Sequence, residues 1–137
     1  MRVVLDTNVL ISAIFFSGPP ATVLEARVDD RFELVVSADI LKEYRAVARR
    51  IGVKHRGIDI EPVLDRIAMH ALLVVPAAIP NDAWSDPDDL KFLGCAIASA
   101  ATVVISGDRA LLRASGFEGV EVLTPRQFLD RRLARTR

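Results

Sequence analysis

Four carboxylates in this chain stand where chemistry can be done. Asp6 interrupts the apolar run "VVLDTNVLI", directly after residues that read as a buried strand. Burying an ionised carboxylate is costly unless it is paired, hydrogen-bonded or bound to a metal. Asp108 ends "VVISGD", again at the close of a strand-like run, and Asp89 is the last acid of "DPDD", at a helix start. Glu43 lies on "SADILKEYRAVARRI". There it borders an apolar stripe of Ile40, Tyr44, Val47, Ala48 and Ile51, spaced at about 100° per residue. Dispersed acids at strand ends, with no histidine or cysteine cluster among them, have the donor chemistry of a hard cation such as Mg²⁺ or Mn²⁺. Such sites support in-line attack of activated water on a phosphodiester.

Each acid also has a plain structural account. Asp6, Thr7 and Asn8 are good helix caps. In "DPDD", Asp86 serves as cap, Pro87 as first helical residue and Asp89 as third, and acids there suit the helix dipole. Asp108 can cap "RALL". A glutamate at the border of an apolar stripe is usually just solvated. Capping explains the acids one at a time; a metal site explains them together.

Other chemistries lack their motifs. His55, His70 and Cys95 have no zinc-ligand spacing. The chain carries no Walker loop, no GxGxxG and no GxSxG, and no Cys–His pairing suited to covalent catalysis. A phosphatase of the Asp-x-Asp-x-Thr type needs a second aspartate where Asn8 stands.

The elements that must position these residues follow from periodicity. Strands are expected at 2–5, 32–37, 71–75, 102–106 and 120–123. Helices are expected from after Asp6 to about Phe16, from Pro19 to about Asp30, from Ser37 to Ile51 with Gly52 as the stop, and over 59–70. A further helix runs from "DPDD" to about Ala100, and a short one begins at Asp108 and is closed by Gly116. The last opens at Thr124, with Pro125 at its first position and Gln127 completing a capping box. Short, continuous, β-branched strands separated by helices indicate a parallel α/β sheet covered on both faces. In such sheets, function gathers at the carboxyl ends of the strands.

The 137 residues suit one domain, 1–137, and half of them are hydrophobic, ample for a core. Eighteen basic and eighteen acidic residues cancel, which argues against a bulk electrostatic nucleic-acid binder but not against a local patch. One cysteine permits no internal disulfide and fits a reducing, cytoplasmic setting. The amino-terminal stretch is too short and polar for a signal peptide. No apolar run has the length of a membrane span.

Taken in order, "VVLDTNVLISA", "SADILKEY" and "DPDDLKFLGCAIASAATVVISGDRALL" resemble the motifs of the PIN-domain nucleases. They resemble in particular the subgroup described as Vap-type toxins of type II toxin–antitoxin pairs, and the likeness spans nearly the whole chain. The resemblance implies a three-layer α/β/α fold with a central five-stranded parallel sheet. It implies an endoribonuclease whose catalytic and metal-binding cluster is Asp6, Glu43, Asp89 and Asp108, holding one or two Mg²⁺ or Mn²⁺ ions. Asn8, Asp86 and Ser106 match supporting positions. It further implies a homodimer and inhibition by a small cognate antitoxin, for which Phe15, Phe16 and Trp84 are candidate contacts. Single-stranded RNA is the expected substrate, because a phosphate-reading site needs an accessible backbone. Arg45, Arg49 and Arg109 are candidate backbone contacts, with Arg50, Lys54, Arg56 and Arg113 as further ones. The alternatives at this level are a non-catalytic RNA- or protein-binding α/β module and a Mg-dependent phosphatase.

Overall fold

The structure is a computed structural model that describes residues 1–55, 57–80 and 87–133. Its first strand, β1 (Arg2–Leu5), carries Val3, Val4 and Leu5 with no solvent exposure at all. Consecutive β-branched and aliphatic residues with both faces buried are what a central parallel strand demands. β1 is indeed central: five parallel strands lie in the order β3-β2-β1-β4-β5. β2 is Glu33–Val36, β3 Leu72–Leu73, β4 Val103–Ile105 and β5 Glu121–Leu123. Val3 sits opposite Leu34 on one side and Val103 on the other.

Helices pack on both faces, giving the expected three-layer α/β/α architecture. They are α1 (Thr7–Phe15), α2 (Pro19–Val28), α3 (Ala38–Gly52), α4 (Ile60–His70), α5 (Leu90–Ser99), α6 (Arg109–Leu112) and α7 (Pro125–Phe128). A turn of 3₁₀ helix, Pro87–Asp89, leads into α5. Local chemistry sets several boundaries. The Ser37 hydroxyl accepts the Ile40 amide at the start of α3, and Thr124 and Gln127 form the expected capping box of α7. α5 ends where Ala100 turns left-handed, with φ 57°.

The connections run outward from the middle. From β1 the chain steps to β2 and β3 on one side, and β4 and β5 lie on the other. The order therefore reverses at β1, and the crevice at such a reversal is where open α/β sheets bind ligands.

The edge strand β3 is shorter than the expected 71–75. Among the described residues it pairs on one side only, with β2, and Pro76 follows it closely. The Val74 amide still reaches the Val36 carbonyl, but the Ala77 amide turns to the Gly94 carbonyl on α5. At Gly94 an added Cβ would lie 2.6 Å from the Ala77 carbonyl oxygen. Only glycine lets this segment lie so close to α5. Among the described residues, no single helix is long and apolar enough to cross a membrane.

Candidate functional site

At the carboxyl ends of β1 and β4, where the strand order reverses, the chain leaves an open cleft of about 240 Å³. Asp6, Thr7, Asn8, Glu43, Val47, Asp88, Asp89, Lys91, Phe92 and Asp108 line it. The four acids singled out in the sequence thus meet in one place. A larger groove between α2 and α4 is lined chiefly by apolar side chains such as Leu24, Val28, Val63 and Ile67, and it gathers no such group of acids.

Asp6 is held by the sheet itself. Its amide donates to the Ile105 carbonyl at 2.9 Å, carrying the β1–β4 ladder one residue beyond the strand. Its carbonyl accepts the Val9 and Leu10 amides and so starts α1. The side chain makes no cap hydrogen bond to that helix, so capping does not account for the carboxylate. Oδ2 instead accepts the Ser106 hydroxyl at 2.6 Å. Asp6 is only 8% exposed. Burial, the largest influence, pushes its pKa above the ordinary 3.8; hydrogen bonds from the Ser106 hydroxyl and the Thr7 amide pull it down, and the nearby charges of Asp108 and Glu43 add to the rise.

Ser106, fully buried at the end of β4, links two acids. Its hydroxyl donates to Asp6, while its oxygen accepts the Asp108 amide at 3.0 Å. Asp108 also caps α6, accepting the Ala110 amide at 3.1 Å. Here the structural and functional readings coexist, because capping uses one carboxylate oxygen and fixes the residue at the rim of the cleft.

Glu43 is delivered by α3, whose position is set one residue later. The buried Tyr44 hydroxyl donates to the Leu5 carbonyl, at 2.5 Å, immediately before Asp6. Glu43 is not simply solvated. Lys91 Nζ donates to its Oε1 at 2.6 Å, and the Thr7 hydroxyl donates to its Oε2. Burial, the first influence, raises the Glu43 pKa, but the hydrogen bonds from Lys91 and Thr7 and the Lys91 charge outweigh it and hold the group below the usual 4.5.

Asp89 lies at the junction of the 3₁₀ turn and α5, facing the cleft, with no side-chain cap bond to the helix. Asn8 stands exposed at the cleft mouth. Asp86, Trp84 and Arg56 fall outside the described residues. Arg45, Arg49 and Arg109 do not line the cleft. Arg45 pairs with Asp65, and Arg49 grips Glu61 at 2.7 and 3.2 Å. Both link α3 to α4. Phe15 is buried, whereas Phe16 is 54% exposed and packs edge-on against His55. Burial pushes the Cys95 thiol to about 12, which makes it neither nucleophile nor ligand near neutrality.

Two residues that matter here were not singled out in the sequence reading. Lys91 is the one basic side chain among the described residues lining the cleft. Thr7 was read only as a cap. The available signal was position: Lys91 is two residues past Asp89, and Thr7 adjoins Asp6. The donor set fits a hard cation, being all carboxylate, with no imidazole or thiolate on the lining. The four acids nevertheless do not close on a common ion as they stand. Among the described residues, no three acidic, histidine or cysteine side chains gather closely enough to enclose one. As they stand, Asp6 is bonded to Ser106, Asp108 to the Ala110 amide of α6 and Glu43 to Lys91.

An acidic cleft thus lies at the reversal point of a five-stranded parallel sheet in an α/β domain. The model of the PIN domain matches residues 2–110, and the chain belongs to that family, whose members are generally metal-dependent nucleases. Searches of curated proteins and of solved structures each found no match.

Proposed function

We propose that this protein is a Mg²⁺- or Mn²⁺-dependent endoribonuclease that cuts single-stranded RNA, with residues 1–137 acting as one nuclease domain. The observation that carries the reading is the meeting of Asp6, Glu43, Asp89 and Asp108 in one cleft. A bound divalent ion there supplies Lewis-acid chemistry, activating water and neutralising charge on the phosphate. The chain's own residues do the rest. Asp6, on the rigid end of β1, and Asp108, pinned through Ser106 and the Ala110 amide, hold carboxylate oxygens at fixed positions. Asp89 faces the same space from α5. In the hydrolysis, a water oxygen bonds to phosphorus, the bond to the leaving ribose oxygen breaks, and that oxygen takes a proton. Hard carboxylates on an open cleft suit a flexible, accessible backbone, which favours single-stranded RNA.

The decisive experiment is cleavage of varied single-stranded RNAs with Mn²⁺ or Mg²⁺, comparing wild type with Asp6→Asn. Metal-dependent cleavage lost in the variant is expected. A folded wild type that cuts none of them overturns the reading, and hydrolysis of small phosphomonoesters instead points to a phosphatase.

The same reading extends to a cytoplasmic toxin that forms a homodimer and is silenced by a small antitoxin, supported by the motif resemblance and by the exposed Phe16 as an apolar contact. Induced expression arrests growth on this reading. Co-expression of a small protein encoded beside it restores growth.

A further inference from the structure

We infer that the RNA strand leaves the acidic cleft along α1 and α3, where Arg50 and Lys54 receive its phosphates and the ring of Phe16, backed by His55, stacks one of its bases. This rests on the nuclease reading above and adds to it a second contact region whose ligand is a nucleobase.

α1 and α3 run away from the cleft side by side. Thr7 and Asn8 line it from the start of α1, and Glu43 and Val47 line it from α3. Further out, Ile11 and Phe15 of α1 share an apolar cluster with Ala48, Val47 and Ile51 of α3. At about 100° per residue, positions four, seven and eleven apart fall on one helix face. Glu43, Val47, Arg50 and Lys54 make such a row. Lys54 stays on it because its amide bonds to the Ile51 carbonyl at 3.0 Å, carrying the helical turn past Gly52. On α1 the matching row is Asn8, Ser12 and Phe16. The rows meet at both ends: Thr7 donates to Glu43 in the cleft, and Phe16 packs on His55 just beyond Lys54.

Between Glu43 and Asp59 the sequence has no acid, and it carries Arg45, Arg49, Arg50, Lys54 and Arg56. Arg45 and Arg49 stand on the far side of α3, turned to Asp65 and Glu61 of α4. Arg50 and Lys54 are exposed on the row that leads back to the cleft. At its far end the Phe16 ring is exposed yet held. It stands at 89° to the His55 ring with centroids 5.4 Å apart, and His55 lies 5.2 Å from the buried Phe15. Cations tracking a backbone beside an aromatic ring are the make-up of a single-strand site, since every base has a face to stack. Positive charge strung between an acidic cleft and an exposed ring is matched by phosphates rather than by an apolar protein surface. From Glu43 to Lys54 the helical rise covers ~16 Å, the run of about five stacked nucleotides at ~3.4 Å each.

Binding, not cleavage, tests the inference. A labelled single-stranded RNA of mixed sequence is titrated with the full chain in EDTA, at several salt concentrations, and its fluorescence anisotropy is read. Phe16→Ala is expected to weaken binding about tenfold, the scale of one base–aromatic stack. Phe16→Trp should bind as wild type does, and Phe16→Leu as poorly as Phe16→Ala. Arg50→Ala and Lys54→Ala should each lower the salt slope by about 0.7. A strand of the same length without bases should bind wild type and Phe16→Ala alike. Circular dichroism verifies folding, and the Arg50 and Lys54 variants carry the test if a Phe16 variant does not fold. Full binding restored by Phe16→Leu, or a salt slope unchanged in both cation variants, overturns the inference. So does a Phe16→Ala that binds RNA as wild type does; sedimentation altered in that variant then assigns the ring to a protein contact. Each of these results leaves metal-dependent cleavage intact. Binding with the expected pattern but no cleavage in Mn²⁺ or Mg²⁺ overturns the nuclease reading and leaves the RNA track standing.

Discussion

On one wall of the cleft Asp6 is buried at a strand end, with a hydroxyl and an amide for company. On the other, Glu43 is held between an ammonium and a hydroxyl. Their pKa shifts run in opposite directions. Burial dominates at Asp6, so its negative charge is kept at a cost to the fold. At Glu43 burial is outweighed by Lys91 and Thr7, so charge there helps the fold. The contrast teaches where the molecule holds stability in reserve for a ligand. A group that destabilises the metal-free protein is one that a bound cation can relieve, and anything that binds the native state alone raises its stability.

The largest effect should come from removing charge on the costly wall. Asp6→Asn keeps the shape and an acceptor for Ser106. It is expected to lower metal-dependent RNA cleavage by about a hundredfold or more, the scale of losing a key electrostatic group. The same variant should melt higher than wild type without metal, by about 2–4 °C for each kcal/mol recovered. Added Mn²⁺ should raise the melting temperature of wild type and not that of Asp6→Asn. A variant that melts lower in metal-free buffer would remove the contrast.

Ser106→Ala comes next. It takes a donor from Asp6 and an acceptor from the Asp108 amide, and leaving such buried groups unpaired costs about 1–3 kcal/mol. Denaturant titration reads that loss, and RNA cleavage should fall with it.

pH separates the walls by sign. Asp6 has a raised pKa in the folded state, so the metal-free protein binds more protons than the unfolded chain from near 3.8 up to that raised value. Its contribution to stability therefore falls as pH rises through that window. Glu43 has a lowered pKa, so its contribution is present above the ordinary 4.5 and is lost as pH falls through the folded value. Melting curves across acidic pH should show the first trend vanish in Asp6→Asn and the second vanish in Glu43→Gln.

The smallest effects belong to basic residues outside the cleft lining. Arg109→Ala should weaken RNA binding and reduce the salt slope by about one unit. Arg49→Ala, whose guanidinium already grips Glu61, should change it less. Filter binding at several salt concentrations measures both.

Much of this was legible in the sequence because strands and caps are local. "RVVL", "TVVIS" and "TPRQ" each announce their element through consecutive side chains, and Asp6 and Asp108 are conspicuous for ending apolar runs. The Glu43–Lys91 pair was not legible. Its partners are 48 residues apart, on helices whose facing depends on packing. The Tyr44 hydroxyl bond to Leu5 was hidden for the same reason, since Tyr44 reads simply as one more member of an apolar stripe. Arg45 and Arg49 read as free basic charge only while α4 and its carboxylates are unplaced.

The amide of Asp6 belongs to the β1–β4 ladder. It should therefore exchange its hydrogen for deuterium only when the sheet opens as a whole, along with the amides of Val4 and Ile105, because core strands open with the globally cooperative unit. Lys91 and Glu43 are presented by two helices, and α3 is tied to the same strand by the Tyr44 hydroxyl on the Leu5 carbonyl. Both walls are thus fastened to β1, one through its own backbone and the other through a side chain one residue from Glu43.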